Sequence, residues 1–320
     1  MKELVSIVVP LFNEEKNIPI LVGRVRETLE AMNLPFEVIL IDDGSRDGSF
    51  EVIKQQALKD DRIKGIRLRR NCGQAGAITA GINLAQGDIC ITMDGDMQHD
   101  PAQIPEFVAK IIDGYDLVCS YRFKRNDALL RRFPSKVANY IARKFSKLDV
   151  RDFGSTYRAY RASVIKEIPV YGEMHRFIPV FVGMLTDRIT EIPISLQPRL
   201  HGQSNYGLGR TFRVLSDLMV ILFFSRFITR PIHIFGYISM VLGLPGFFIL
   251  VWLSLSKIFG NIAIMDYGPL FVFGVLLCLV SGQLFTSGIV CEYLVRIYYR
   301  DENRRPYSVA ETTFKSRHNE

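Results

Sequence analysis

Tryptophan is almost absent from this chain of 320 residues: its single copy, Trp252, sits inside a long apolar run. Cysteine is scarce too. Cys72, Cys90, Cys119, Cys278 and Cys291 are odd in number, form no C-x-x-C pair, and two of them fall in long apolar segments. That pattern excludes a disulfide framework and a zinc site. Negative charge is also short, with 33 Asp and Glu against 40 Lys and Arg, a net charge of +7 and a pI near 9.1. Such a balance suits nucleic acid, anionic lipid or phosphate-bearing substrates alike. No alternation of basic and aromatic residues builds a stacking platform, and the basic residues gather beside the apolar runs, so nucleic acid is not the expected partner. No signal-peptide pattern opens the chain, since Met1-Lys2-Glu3-Leu4 leads directly into a strand pattern. The first domain is therefore expected to be cytoplasmic.

What is present is unevenly distributed. Hydrophobic residues make up 48% of the chain and pile up late. In the first third, short β-branched runs at residues 5–9, 37–41, 63–68, 88–93 and 116–120 alternate with helical patterns at 15–32, 49–57, 74–85 and 101–113. Continuous apolar strands alternating with helices predict an α/β fold, a mostly parallel sheet covered on both faces. Ligands in such sheets bind beyond the carboxyl ends of the strands. Three of those ends carry Asn13-Glu14, Asp42-Asp43 and Asp94/Asp96, so polar groups converge on the expected ligand edge.

Two uncharged runs follow at 231–256 and 268–291, each long enough to cross a bilayer core. They predict a transmembrane hairpin, with a kink at Pro245; a pair of buried core helices is the alternative. The link 257–267 is short, whereas Arg296, Arg300, Arg304, Arg305, Lys315 and Arg317 follow the second run. The positive-inside bias then places both termini and the α/β domain in the cytoplasm. Small residues at Gly274, Ser281, Gly282 and Gly288 offer a packing route to a homo-oligomer. Residues 122–148 hold nine basic residues against one acidic one, with apolar residues at helical spacing. This is the pattern of a helix lying in the headgroup plane, against the alternative of a solvated surface helix. Residues 211–229 form a second interfacial candidate. The expected organisation is an α/β core (1–121), a juxtamembrane part of the same domain (122–210), an interfacial helix (211–230), the hairpin (231–292) and a basic cytoplasmic tail (293–320).

Asp94-Gly95-Asp96 closes the apolar run 87–93. Two carboxylates one residue apart at a strand end can both reach a divalent cation. Hard oxygen ligands select Mg²⁺ or Mn²⁺, which in turn hold substrate phosphates. In Asp42-Asp43-Gly44-Ser45 an Asp can accept from a nucleobase N–H, and Gly permits close backbone approach. A helix N-cap with a tight turn is the alternative there, as it is for Asp100 before Pro101.

Val8-Val9-Pro10-Leu11-Phe12-Asn13-Glu14-Glu15, Ile41-Asp42-Asp43-Gly44-Ser45, Asp94-Gly95-Asp96-Met97-Gln98, the stretch from Asp152 to Arg158, and Cys291-Glu292-Tyr293-Leu294-Val295-Arg296-Ile297-Tyr298 with Arg305-Pro306 resemble the inverting GT-A glycosyltransferases. More narrowly, the chain is similar to the polyprenyl-phosphate glycosyltransferases over nearly its whole length. The resemblance implies a nucleotide sugar and a polyprenyl phosphate as substrates. It implies that Asp94, Asp96 and Gln98 lie at the metal, and that Asp43 takes the base. Pro10, Phe12 and Glu14 would form the base-and-ribose wall, with Phe12 where Tyr is usual. Arg122 would meet a donor or acceptor phosphate, and Arg125 an acceptor phosphate or lipid headgroups. Arg131 and Lys136 would attract the membrane or gather the lipid phosphate. Asp152 matches the family's candidate catalytic Asp; a structural Asp paired with Arg158 or Arg161 is the alternative. Arg199 and Ser204 match a loop that closes over the donor diphosphate, and Asn205 departs from the usual Lys. A processive polysaccharide synthase would need a Gln-x-x-Arg-Trp motif, and Trp252 lies in an apolar run instead. A catalytically silent nucleotide-sugar-binding module is the remaining rival.

Overall fold

The computed structural model describes residues 3–123, 148–168, 175, 178–197, 231–260, 264–300 and 308–314. The chain divides into two compact units, residues 1–221 with 305–320, and residues 222–304.

In the first unit the expected alternation is realised. In order come β1 (Val5–Leu11), α1 (Ile18–Ala31), β2 (Phe36–Asp42), α2 (Ser49–Lys59), β3 (Ile63–Leu68), α3 (Gly73–Leu84), β4 (Ile89–Thr92), α4 (Ile104–Ile112) and β5 (Leu117–Arg122). β2 is buried at all seven positions, as a strand covered on both faces must be. The helices cover it through single stripes. α4 buries Ile104, Phe107, Val108 and Ile111, the i, i+3, i+4, i+7 face of one helix. Glu37 and Asp42 are the two buried acids of β2. Glu37 accepts from Ser6 Oγ, the Gln86 amide and Lys64 Nζ, each at 2.6 Å, which satisfies it at the edge opposite the ligand side.

Three strands extend the sheet beyond the sequence expectation: β6 (Arg158–Arg161), β7 (Ile189–Ile194), separated by the short helices α5 (Ala162–Ile165) and α6 (Ile178–Val182), and β8 (Val309–Thr312). The strand order is β7-β5-β6-β4-β1-β2-β3-β8. β1 to β4 run parallel, β6 is antiparallel to both β4 and β5, and β7 is parallel to β5. The carboxyl ends of β4 and β5 therefore share one edge with the start of β6. β8 pairs antiparallel with β3 and ties it further, because Thr313 exchanges main-chain and hydroxyl bonds with Gly65. Part of the basic tail thus belongs to the catalytic sheet.

The second unit holds α7 (Pro231–Gly260) and α8 (Gly268–Arg300). Within 235–259 and 268–294, 18-residue stretches reach mean hydropathies of 2.2 and 2.0, and only 17% and 6% of those stretches are buried. Apolar helices this exposed are not the core of a soluble domain, and they have the length and composition to form a transmembrane hairpin. Pro245 lies within α7. Ser239 and Ser281 bond each other across the pair, through main-chain oxygens at 2.9 and 2.8 Å. A Cβ at Gly274 would meet Ile249 and Leu250 at 3.1–3.2 Å. Gly274 and Ser281 are thus used within the hairpin, where small residues let two helices approach. Both interfacial candidates lie almost wholly outside the described residues.

Candidate active site

The β1–α1 and β2–α2 loops form one wall of the ligand edge. Asn13, in the left-handed region at φ 57°, donates its amide to Ser45 Oγ and accepts from the Arg46 amide, each at 2.9 Å. The Glu14 amide donates to Ser49 Oγ at 2.9 Å, and its carboxylate accepts from Asn17 Nδ2 at 2.5 Å. Pro10 and Phe12 flank Leu11, which stands beside Asp42 in register, and the Phe12 ring is 38% exposed. The four residues Pro10, Phe12, Glu14 and Asp43 are thereby brought to neighbouring strand ends.

The paired acids of β2 divide their work. Asp42 is fully buried; its Oδ1 accepts from the Ser45 amide at 2.9 Å and its Oδ2 lies 3.4 Å from Arg67 Nε. Asp43 accepts from the Cys72 amide at 2.7 Å and also from that of Gly73, at the start of α3. Burial pushes its pKa up to about 6 against the pull of those amides. Gly44 makes this possible. Its φ is +70°, and a Cβ there would sit 2.9 Å from Arg70 C and Asn71 N. The close approach that glycine permits is therefore to the chain's own β3–α3 loop.

Beyond β4 the Asp-Gly-Asp turn is equally constrained. A Cβ at Gly95 would run into Leu11 Cδ2, so a side chain between the two acids would have to displace the buried Leu11. Asp96 Oδ1 accepts from the Gln98 amide at 3.1 Å, and Gln98 O accepts from the Gln197 amide at 3.0 Å. The Asp94 amide donates to His99 Nδ1 at 3.1 Å, and the buried His99 ring stacks on Tyr157. The Asp94 carboxylate accepts from Gln74 Nε2 on Oδ1 and Thr156 Oγ1 on Oδ2, both at 2.7 Å, while its side chain stays 31% exposed. Among the described residues no three His, Cys, Asp or Glu side chains converge on one point. The donor set fits a hard cation that takes its other ligands from phosphate oxygens and water, as Mg²⁺ does. Asp100 caps the following turn, accepting from the Ala102 amide at 3.0 Å.

At the end of β5, Arg122 forms a two-pronged pair with Asp152, Nε to Oδ2 at 2.6 Å and Nη2 to Oδ1 at 3.1 Å. The Gly154 amide adds a third donor at 3.0 Å. Arg122, rather than Arg158 or Arg161, is thus the partner that makes this fork. Arg158 donates to the Phe153 and His175 carbonyls, and Arg161 turns to Asp116 and the Ile111 carbonyl. Glu191 on β7 accepts from the Arg151 amide at 2.7 Å and from that of Asp152; burial raises its pKa and these amides counter the shift. Ser120 and Ser155 hydroxyls meet at 2.6 Å. Residues 152–156 therefore run from the Arg122 pair to the Asp94 carboxylate. Arg125, Arg131, Lys136, Arg199 and Ser204 lie outside the described residues. Gln197, the last described residue before Arg199 and Ser204, is fastened to Gln98 O and to Asp100 Oδ2, the latter at 3.1 Å.

Gln74, Thr156, His99 and Glu191 were not singled out from the sequence. Their polar atoms reach the site from four separate elements, and only Gln74, in the first turn of α3, follows a loop visible as a turn signal, Asn71-Cys72-Gly73.

A mostly parallel sheet with an Asp-Gly-Asp turn and a second pair of acids on one edge defines a GT-A glycosyltransferase domain. The chain belongs to glycosyl transferase family 2, whose model matches residues 6–169. It is 40% identical over 314 residues to a dodecaprenyl-phosphate galacturonate synthase of Rhizobium johnstonii, covering 96% of this chain and 92% of that one. It is 34% identical over 305 residues to an undecaprenyl-phosphate 4-deoxy-4-formamido-L-arabinose transferase of Aeromonas hydrophila, covering 95% and 92%. Among solved structures it resembles glucosyl-3-phosphoglycerate synthase of Mycobacterium tuberculosis, solved with Mn²⁺ and UDP-glucose, at a TM-score of 0.53 and 19% identity over 70% of this chain and 79% of that one. That likeness carries the fold.

Proposed function

We infer that the chain is a membrane-bound inverting glycosyltransferase that moves a sugar from a nucleotide sugar to the phosphate of a polyprenol. The observation that carries this reading is the union, on one sheet edge, of a carboxylate turn fit for a metal and an arginine fork, in a chain that also has two membrane-length helices. The relatives support it, since both named transferases act on polyprenyl phosphates and the similarity includes the hairpin and tail.

On this reading Asp43 accepts a base N–H, and Pro10, Phe12 and Glu14 wall the nucleoside. Mg²⁺ or Mn²⁺ held by Asp94 and Asp96 would supply charge neutralisation for the departing nucleoside diphosphate. Gln98 fixes the turn, and through its carbonyl it anchors the base of the loop bearing Arg199 and Ser204, which close on the diphosphate. The Arg122 guanidinium, oriented by Asp152, presents its outer N–H groups to the lipid phosphate. Arg125, Arg131 and Lys136 gather that phosphate from the bilayer surface. The phosphate oxygen attacks the anomeric carbon opposite the leaving group, so an α-linked D-sugar donor gives a β-linked lipid product. A polyprenyl phosphate is largely dianionic near neutrality, its second pKa being about 6, so positioning and charge stabilisation outweigh proton abstraction.

The hairpin ends both lead into the same catalytic unit, through residues before 231 and through β8. This supports an integral membrane protein with an even number of crossings and both termini on the cytoplasmic face. Homo-oligomers remain compatible with the outer faces of the hairpin.

The test is transfer from a panel of labelled UDP- and GDP-sugars to undecaprenyl phosphate by the purified full chain, with Mg²⁺, Mn²⁺ or EDTA. A metal-dependent labelled lipid is the expected product. Nucleotide binding without turnover on any donor would refute the transferase and favour the silent binding module.

A further inference from the structure

The Asp94 carboxylate is gripped from both sides by neutral donors that belong to different parts of the fold. Gln74 Nε2, from the first turn of α3, bonds one oxygen, and Thr156 Oγ1, from the segment before β6, bonds the other. Each donor is itself anchored. Thr156 is held by its carbonyl, which accepts from Thr92 Oγ1 at 2.6 Å at the end of β4. Gln74 follows the Cys72 and Gly73 amides that grip Asp43. A third tie, the Asp94 amide on His99 Nδ1, fixes the main chain. Rotation of Asp94 about either side-chain bond would break at least one of these contacts.

A purely structural need does not explain the grip. With its side chain 31% exposed, Asp94 could satisfy its oxygens with water. Nor do the two donors neutralise it. An amide and a hydroxyl orient a carboxylate and leave its charge for a cation, whereas Lys or Arg would compete with one. Each carboxylate oxygen has two acceptor positions, so one direct bond per oxygen leaves capacity for a metal.

We propose that Gln74 and Thr156 are positioning residues that pre-orient the Asp94 carboxylate and so set the affinity of the site for its divalent cation. The proposal rests on the metal reading of Asp94 above. It also makes residues 152–156 a shared strut, with Asp152 at one end holding Arg122 and Thr156 at the other holding Asp94.

The experiment is direct Mn²⁺ binding to the full-length protein in detergent, read from the free Mn²⁺ electron-paramagnetic-resonance signal, with and without UDP. Thr156→Val and Gln74→Met should each weaken Mn²⁺ binding by about 10-fold or more, and Thr156→Ser should restore it to within about twofold, the scale expected for groups that orient a metal ligand. In turnover assays the loss should appear mainly as a higher Mn²⁺ concentration for half-activation. Gln74 is partly exposed, so its variant carries the test even if Thr156→Val folds poorly. Native Mn²⁺ affinity in Gln74→Met and Thr156→Val, alongside lost affinity in Asp94→Asn, would overturn the clamp alone. Unchanged affinity in Asp94→Asn would overturn the metal reading and the clamp together.

Discussion

Asp43 should make nucleotide binding acid-sensitive in a window set by its own environment. Burial raises its pKa to about 6, and the ionised carboxylate is the stronger acceptor for a base N–H. If only that form binds, the apparent Kd scales as one plus the ratio of protonated to ionised Asp43. Relative to its value at high pH, Kd should rise about twofold at pH 6 and about 11-fold at pH 5. The ligand's own diphosphate also takes up a proton near pH 6, so the measurement must subtract it. Calorimetric titration of metal-free protein with UDP or GDP from pH 5 to 8, in the native chain and in Asp43→Asn, does so. The ligand contributes equally to both proteins, and their difference isolates Asp43. Stability should move the other way. The folded pKa lies above the unfolded value of about 3.9, so the fold binds this proton more tightly than the unfolded chain does. The penalty of the buried charge is present in full above pH 6 and is relieved as pH falls towards 4. Acid should thus ease the fold at Asp43 while weakening the nucleotide. A difference between the two proteins that stays flat from pH 5 to 8 would refute the assignment of the base to Asp43.

Three further outcomes are expected. Arg122→Lys keeps a charge and loses the fork to Asp152, so kcat should fall about 100-fold while Arg122→Ala, which strands a mostly buried carboxylate, should also cost about 2–4 kcal/mol of stability. Kinetics and thermal melts in detergent check both; equal kcat in Arg122→Lys and the native chain would remove Arg122 from the site. Gly95→Ala drives a methyl against the buried Leu11 and should cost about 1–3 kcal/mol, with Mn²⁺ binding weakened as the turn shifts. A melt within a degree of native would contradict the close contact. Deleting residues 308–320 removes β8 and the two bonds by which Arg69 reaches Ser308 and Val309, just before the loop that grips Asp43. Membrane insertion should survive, and the nucleotide Kd should rise about threefold to tenfold if one net hydrogen bond's worth of loop order is lost.

The central fold was legible because its signals are local. Residues 5–9, 37–41 and 63–68 are short runs of strand length rich in Val, Ile and Leu, and the strands at Val5–Leu11, Phe36–Asp42 and Ile63–Leu68 contain them. The outer strands were not legible for the same reason. Arg158–Arg161 is four residues long with arginine at both ends, and Arg158 is buried only because main-chain carbonyls receive it. Val309–Thr312 is polar and becomes a strand through the open edge of β3, a partner more than 240 residues away. At the candidate site the acids were visible as motifs, and their holders were not. An Asp-Gly-Asp turn announces itself by composition. A glutamine 20 residues earlier and a threonine 62 residues later acquire meaning only when α3 and the start of β6 converge on it.

The two ends of the site also differ in what they ask of their carboxylates, and that difference separates Asp94 from Asp152. Asp94 meets neutral donors, which leave its charge available to the proposed cation. Asp152 meets a guanidinium through both oxygens, with the Gly154 amide as a third donor. A carboxylate engaged in that way is poorly placed to collect a proton, since taking one would weaken a charge-assisted fork that holds Arg122 in a single orientation. The proposed acceptor removes the need, because an ionised phosphate brings its own nucleophilic oxygen. Asp152 then serves by fixing the arginine before the lipid arrives, and Glu191 by fixing the Asp152 main chain in turn. On that argument Asp152→Asn should lower kcat without changing the acidic limb of its pH profile, where a general base would have left its own titration beside that of the lipid phosphate. Loss of an acidic limb that is present in the native profile and exceeds the phosphate's own titration would return Asp152 to the role of proton acceptor.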